Sequence, residues 1–427
     1  MRCYIDGITH IGEGVARIEG KATFIPYAIP GETVEVEITE EKKRFRRARL
    51  TEIKDSSEDR ITPLCPHFYE CGGCAYQHVS YPKQLELKQR VVQESINRIG
   101  KIDLEVNPVL GMEEPWRYRN KVAWHVDRIN GQLKMGYYQN DSHKIIDITT
   151  CKLISVEMEN LSLYIKAKLD ELNLPDHGEI VIRQSSLNRK LMLVFRGDGM
   201  ENVSINSLLD YPELESIYTI NNDFYTLLHG EPYLEEEING LHYDISALSF
   251  FQVNSGQTSK LYDLVKEYAH ARPSNRVLDA YCGMGSISLL LAKTARKVLG
   301  VESYAPAIKD ATNNKYKNKI FNCDFLTGPC EIIIPQLIDE FDLVVLDPPR
   351  AGCTEDLIEA IAAISPRRIV YVSCNPATLA RDLALFEKEG FETREIQPVD
   401  MFPQTSHVEC VVRIYRKEKT ASTTVYE

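Results

Sequence analysis

No apolar run in this chain of 427 residues reaches the ~18 that a helix needs to cross a bilayer. The opening residues, Met1-Arg2-Cys3-Tyr4-Ile5-Asp6, lack the basic-then-apolar pattern of a secretory leader. From these two absences we expect a cytoplasmic protein that makes no membrane contact. An excess of positive charge is also missing. Fifty Lys and Arg stand against 62 Asp and Glu, a formal net charge of −12. This excludes a protein coated in basic surface for nucleic acid and leaves room for local basic patches. Hydrophobic residues make up 43% and charged residues 26%, ordinary for a globular chain long enough to form two or three domains. Cysteine, by contrast, is plentiful. Eleven cysteines in a chain expected to stay reduced argue for metal or catalytic chemistry more than for disulfides.

Residues 1–56 read as short strands. Gly7, Gly12, Gly14, Gly20, Pro30 and Gly31 punctuate runs such as Thr33-Val34-Glu35-Val36-Glu37-Ile38, which alternates with period two. Several such strands at close spacing suggest a small barrel. In Lys42-Lys43-Arg44-Phe45-Arg46-Arg47-Ala48-Arg49 six of eight residues are basic. Such a stretch is either a solvated loop or a surface for a phosphate backbone and a stacked base. Residues 57–247 form a second, mainly β segment. It contains Cys65, Cys71 and Cys74 at C-x5-C-x2-C spacing, with Gly72 and Gly73 between the last pair. Cys151 is the candidate fourth ligand, and four thiolates suit either zinc or an iron–sulfur cluster. Residues 81–99 pattern as an amphipathic helix on Leu85, Val92, Ile96 and Ile99, and 152–174 look helical. The rest of the segment shows strands and no catalytic constellation. Arg117, Arg119 and Lys121 form a small basic cluster, either a solvated strand edge or an RNA contact.

From 248 to 427 strands alternate with helical stretches, the signature of a parallel α/β sheet. A strand, Arg276 to Tyr281, runs into Cys282-Gly283-Met284-Gly285-Ser286 and an apolar helix. A second strand ends in Glu302. Glycines before a helix let a ligand approach the backbone, and an acid ending the next strand can accept both ribose hydroxyls. The third glycine of the dinucleotide pattern is missing, which counts against NAD. A ribose without a pyrophosphate fits S-adenosylmethionine better. Asp324 stands where a third strand would end and could meet the adenine amino group. A fourth strand ends in Asp347-Pro348-Pro349-Arg350, a rigid acidic loop.

The fifth strand, Ile369-Val370-Tyr371-Val372, delivers Cys374 just before Asn375-Pro376, where Pro376 ends the ladder. Open α/β sheets place their ligand crevice at such carboxyl ends. A cysteine beside a strand is commonly just a small buried hydrophobe. Here Glu409, with His407 two residues before it, opens a further apolar strand and offers a base. A methyl donor, a thiol and a carboxylate suit methylation of uracil carbon 5, by thiolate addition at carbon 6 and proton removal from carbon 5. A free thiol ionises at ~8.5, and moving it to ~7 takes about 2 kcal/mol. Arg350 is one candidate cation for that shift. Rival readings are an amino-group methyltransferase, which needs neither Cys374 nor Glu409, and a radical enzyme, whose usual C-x3-C-x2-C spacing is absent. A non-catalytic RNA-binding factor is a third rival, and loss of the catalytic residues, which are all present, would mark it.

Two resemblances sharpen this reading. Gly14-Val15-Ala16-Arg17 through Pro30-Gly31-Glu32 to Glu52-Ile53 resembles a TRAM domain, an OB-like RNA-binding barrel. Ser249-Phe250-Phe251-Gln252-Val253-Asn254, the Asp-x-x-Cys-Gly-x-Gly loop, Asp347-Pro348-Pro349-Arg350, Ser373-Cys374-Asn375-Pro376 and His407-Val408-Glu409 resemble, in order, the RNA uracil-5 methyltransferases. The likeness is greatest to the 23S ribosomal RNA branch, with transfer RNA as the second target. It implies a class I, Rossmann-like methyltransferase domain over 248–427, behind a TRAM barrel and a central β domain with a [4Fe–4S] cluster on Cys65, Cys71, Cys74 and Cys151. It also implies Cys374 as nucleophile and Glu409 as general base. S-adenosylmethionine contacts would come from Gln252, Tyr281, Gly283, Glu302, Asp324 and Asp347. Phe250, Arg350 and Lys121 would be RNA contacts, and residues 76–110 would pack on the catalytic domain. Ser286 stands where some members carry Asn or Thr. No protein partner is expected.

Overall fold

The computed structural model describes residues 1–140, 142–222 and 224–418. Residues 419–427, the end of the expected third segment, lie outside the described residues. The chain divides into two compact units. The first comprises Met1–Val91, Val109–Ser259 and Asp400–His407, and the second comprises Val92–Pro108, Lys260–Val399 and the chain from Val408 on. The expected boundary after 247 thus falls inside the first unit. Of residues 76–110, those from 92 to 108 belong to the second unit.

In the first unit, six strands from residues 2–55 hydrogen-bond in one sheet. Thr33–Glu41 and Phe45–Asp55 are its long pair. The period-two pattern works as expected. Val34 and Val36 turn inward onto Ile5, Ala16, Ile25 and Ala28, while Glu35 and Glu37 do not. Glutamates of this sheet change the reading of the basic stretch. Arg46 is buried and bonds Glu41, Glu19 and the Ile18 carbonyl. Arg47 pairs with Glu13, Arg49 with Glu37 and Lys42 with Glu40. Among the described residues only Lys43 and Arg44 of that stretch have no carboxylate partner, so most of its charge is spent on the barrel itself.

A seven-stranded sheet follows in the same unit, built from residues 121–147, 177–196 and 214–230. Helix Val156–Lys166 covers it, capped by the Ser155 side chain accepting from the Met158 amide. This helix and a short turn, Leu169–Glu171, occupy the stretch expected to be helical. Helix Tyr81–Ser95 starts here as well. Its Lys88 forms a fully buried ion pair with Asp400 at 2.6 Å, and the Tyr81 hydroxyl donates to the same carboxylate at 2.9 Å. Breaking one half of such a pair leaves a buried charge uncompensated, at about 3–5 kcal/mol.

The second unit holds one sheet of seven strands: β1 (Arg276–Ala280), β2 (Lys297–Glu302), β3 (Cys323–Thr327), β4 (Leu343–Leu346), β5 (Arg368–Ser373), β6 (Phe391–Val399) and β7 (Glu409–Arg416). Their order is β3-β2-β1-β4-β5-β7-β6. β1 to β5 are parallel, and β7 runs antiparallel to both β5 and β6. Strands buried on both faces need continuous apolar runs, and Leu343–Leu346 and Ile369–Val372 supply them without a polar interruption. The strand order reverses between β1 and β4, the switch point where such sheets open a crevice at their carboxyl ends. Residues 92–108 join this core through Val92, Ile96, Ile102 and Val106. Among the described residues no helix is long and apolar enough to cross a membrane.

Candidate active site

Beyond β1 the chain turns through Tyr281 to Gly285 into helix Ser286–Ala292. Tyr281, Gly283 and Gly285 have φ of 63°, 54° and 80°, a left-handed region that glycine enters without penalty. The two glycines serve different ends. A Cβ on Gly285 would lie 2.7 Å from the Phe325 ring, so this position must stay bare for packing. A Cβ on Gly283 would meet nothing within 4 Å, so its backbone faces open space that a ligand can fill. The Gly283 amide donates to Oε2 of Glu302 at 3.3 Å, while Oε1 accepts from the Tyr304 amide at 2.8 Å and the Ser303 hydroxyl at 3.0 Å. These donors fix the carboxylate at the end of β2 beside the glycine loop. The Tyr281 hydroxyl donates to Glu331 at 2.5 Å, and Ser286 shares a 2.6 Å hydrogen bond with Tyr262. Asp347 follows the end of β4, and burial pushes its carboxyl up to about 7.

Asp279, in the glycine-loop motif but given no role from the sequence, is fully buried and accepts from the Ser288 hydroxyl. Burial raises its carboxyl to about 7, against that hydrogen bond and with the Asp347 charge adding.

The structure corrects the expectation for Asp324. This residue pairs with Leu299, and the end of β3, level with Glu302, is Thr327. Asp324 sits three residues short of the crevice, its carboxylate taken by Lys297 and Lys315 at 3.1 Å each. The sequence placed the strand end too early because the breakers Gly328-Pro329 come after it.

Cys374 and Glu409 meet through strand register. Ser373 pairs with Cys410 at the end of the β5–β7 ladder. Cys374 thus leaves β5 beside the point where Glu409 opens β7, near enough for the Glu409 charge to act on the thiol. Glu409 is 6% exposed. Burial first, then the Asp347 charge, pushes its carboxyl up to about 8, against the pull of Arg350. The Cys374 thiol is pushed up to about 11, by burial first and then by Glu409 and Asp347, with Arg350 opposing. Arg350 pulls the thiol in the expected direction, but in the free protein burial and two carboxyls outweigh it.

In the first unit, Cys65, Cys71, Cys74 and Cys151 line one pocket, alongside Phe68, Arg119 and Tyr137. All four thiols are free. The Gly73 amide donates to Cys71 Sγ at 3.4 Å, and the Gln77 side chain donates to Cys74 Sγ at 3.2 Å. Arg119 has no carboxylate partner among the described residues, so a cation is available to balance a negative centre. Among the described residues no three His, Cys, Asp or Glu side chains converge closely enough to hold one metal ion. A single zinc draws its sulfurs to ~2.3 Å. Four free thiols around one pocket form a donor set whose chemistry suits either zinc or an iron–sulfur cluster.

Gln252, Phe250 and Lys121 also belong to the first unit. The Gln252 carbonyl accepts from the Asn120 side chain at 3.0 Å. Phe250 is 68% exposed, whereas Phe251 is buried against Tyr243. Lys121 lines a cavity with Arg183, Gln184 and Phe251 and has no carboxylate partner among the described residues. Burial, then the charges of Arg183 and Arg196, push its ammonium down to about 8.

A family model of the tRNA (uracil-5-)-methyltransferases matches residues 229–333 and 336–417, and a TRAM domain model matches residues 1–51. The chain is 41% identical to an uncharacterized RNA methyltransferase of Halalkalibacterium halodurans, over 95% of each chain. It is 39% identical to one of Bacillus cereus, over 97% of this chain and 96% of that one. Among solved structures, the Pyrococcus abyssi tRNA (uracil-54, C5)-methyltransferase in complex with S-adenosyl-L-homocysteine superposes with a TM-score of 0.77 at 27% identity. That match covers 97% of this chain and 100% of the other. With the sheet order and the site above, these matches make the chain a member of the S-adenosylmethionine-dependent uracil-5 RNA methyltransferases, with a TRAM domain at its start.

Proposed function

We propose that the protein methylates carbon 5 of a uridine in 23S ribosomal RNA through a covalent adduct between Cys374 and carbon 6. The observation that supports this reading is the end of the β5–β7 ladder at Ser373 and Cys410, which brings Cys374 and Glu409 to the sheet end where Tyr281, Gly283, Glu302 and Asp347 also lie. Carbon 5 of uracil is a poor nucleophile. Addition of the Cys374 sulfur to carbon 6 makes the ring an enolate, and carbon 5 then accepts the methyl group. Glu409 removes the carbon 5 hydrogen, and the sulfur leaves by elimination. S-adenosylmethionine supplies the electrophilic methyl group when bound. Gly283, Glu302 and Asp347 would hold it from this sheet end, with Tyr281 beside them. Arg350 opposes the upward pressure on both Cys374 and Glu409.

The choice of 23S RNA rests on the motif resemblance to the ribosomal branch, since the overlay with a transfer RNA enzyme covers 97% of this chain, the barrel and the cysteine segment included. The overlay with the transfer RNA enzyme spans that enzyme's whole chain, so transfer RNA is the second reading. Mapping 5-methyluridine by mass spectrometry in ribosomal and transfer RNA from a deletion strain separates them. Loss from 23S RNA is expected, loss from transfer RNA alone would move the assignment to the second target, and loss from neither would overturn the proposal.

Lys121 and Phe250 are proposed RNA contacts, Lys121 to a phosphate. Lys121→Ala is expected to weaken binding uniformly across RNA sequences and to reduce the slope of log affinity against log salt by about 1. An unchanged slope would remove Lys121 from the contact set.

Cys65, Cys71, Cys74 and Cys151 are proposed to hold a [4Fe–4S] cluster that staples the first unit. Cys71→Ser should then abolish visible absorbance and cost about 4 kcal/mol, a drop of ~10 °C in melting temperature for a unit of this size. Affinity for S-adenosylhomocysteine should be kept. A variant that melts with the wild type would end the staple idea.

A further inference from the structure

The Asp-Pro-Pro-Arg loop is tied, bond by bond, to the helix that begins just after Cys374. Helix Pro376–Lys388 is capped by Asn375, whose side chain accepts from the Ala377 amide and donates to the Arg350 carbonyl at 3.1 Å. One turn on, the Thr378 hydroxyl donates to the same carbonyl at 3.1 Å. Another turn on, Arg381 donates to the carbonyls of Ala351 at 2.9 Å and Cys353 at 3.0 Å. Asp382 accepts from the Cys353 amide at 2.8 Å and from the Tyr371 hydroxyl at 2.6 Å. Asp382 and Tyr371 are fully buried, and Tyr371 lies on β5 three residues before Cys374. The loop itself is shaped for this contact. Gly352 has φ of 76°, and a Cβ there would lie 2.4 Å from the Asp382 carboxylate and 2.7 Å from the Arg381 guanidinium. The buried Asp382 charge is balanced by the neighbouring Arg381, so the group is stable as an ion pair with its donors satisfied.

This arrangement exceeds what a loop after a strand needs. Backbone groups of three loop residues, Arg350, Ala351 and Cys353, are bound to the helix behind the thiol. The Arg350 side chain is left exposed. Its charge opposes those of Asp347 and Glu409 at Cys374.

We propose that Asp382 and Arg381 are positioning residues for the reaction: through Gly352 and Cys353 they lock the Arg350 loop to the Cys374 segment and so keep the Arg350 cation where it acts on the thiol. The proposal rests on the reading of Cys374 as nucleophile. Cations help a thiol only at short range, so a loop free to drift by one or two ångströms would lose most of the effect.

The test is the rate of Cys374 alkylation by iodoacetamide across about pH 7 to 10, followed by peptide mass spectrometry so that the other cysteines do not interfere. Arg350→Ala and Asp382→Asn are each expected to slow alkylation about tenfold, the effect of one unit of thiol pKa. The double variant should be no slower than either alone, because both act through one cation. Affinity for S-adenosylhomocysteine should stay as in the wild type. If Asp382→Asn does not fold, Arg381→Lys, which keeps a cation beside Asp382, and Thr378→Val loosen the same loop without leaving a buried charge unpaired. Their slowing should likewise vanish in the Arg350→Ala background. Slowing that adds to that of Arg350→Ala, or no slowing in any loop variant, would overturn the proposal. Turnover retained by Cys374→Ala would instead overturn the nucleophile assignment, leaving the loop result to stand by itself.

Discussion

Replacing Cys374 with alanine is expected to lower methyl transfer by a factor of about 10⁴ or more, as losses of essential nucleophiles do. Affinity for S-adenosylhomocysteine should stay within about twofold, since Gly283, Glu302 and Asp347 keep their places. The size of the effect follows from the chemistry. Without addition at carbon 6, carbon 5 has no enolate behind it and no competence to take the methyl group, so no weaker route remains at the same site. The raised thiol bears on how the step must run. With the free thiol pushed up to about 11, chiefly by burial, the thiol and not the thiolate is the main form at pH 7. Ionisation is therefore expected when the uridine arrives, and slow alkylation of the free enzyme near neutrality would agree with this. Measured turnover in Cys374→Ala above one per cent of wild type would contradict the covalent route.

Glu409→Gln is expected to reduce turnover by about 10²–10⁴-fold, the usual worth of a positioned base. It should also leave methylated RNA bound covalently to Cys374, because the carbon 5 hydrogen stays in place and elimination cannot follow. The wild type should show a pH signature that this variant lacks. Glu409 titrates near 8, above the usual ~4.3, so its carboxylate form and the activity grow as pH rises through about 8. Stability moves the other way. A raised carboxyl contributes stability fully below ~4.3, and that contribution is lost as pH rises through about 8. Relative to Glu409→Gln, the wild type should therefore melt progressively lower between those limits. Parallel melting curves for the two proteins across that range, or a flat activity profile, would argue against Glu409 as the buried base.

Much of the site was legible because strand ends announce themselves. A β-branched run stopped by Asn-Pro, an acid closing a strand and two glycines before a helix each carry a local steric reason, and Cys374, Glu409, Glu302 and Gly283 could be read from them. Asp324 failed because it is polar within a strand whose end is marked only later, by Gly328-Pro329; its partners Lys297 and Lys315 come from β2 and the helix Ala305–Lys317. The ion pairing of the basic stretch Lys42–Arg49 was hidden for a related reason. Strand pairing sets Glu37, Glu40 and Glu41 against Arg49, Arg47 and Arg46, and a charge count along the chain is blind to that pairing. The thiol's environment was hidden as well, since burial and the approach of Asp347 and Glu409 are made by three separate strands. The same holds for the units. Composition marks where α/β alternation begins, but the return of Asp400–His407 to the first unit depends on Lys88, Gln84 and Tyr81, more than three hundred residues earlier.

The central claim, a covalent bond between Cys374 and uracil on the way to 5-methyluridine, is tested most directly with RNA carrying 5-fluorouridine. Fluorine at carbon 5 cannot be removed as a proton, so the adduct should persist in the presence of S-adenosylmethionine. Digestion and mass spectrometry should then find the peptide containing Cys374 carrying a methylated fluorouridine nucleotide. An intact Cys374 peptide with no adduct, or an adduct on a different residue, would contradict the account.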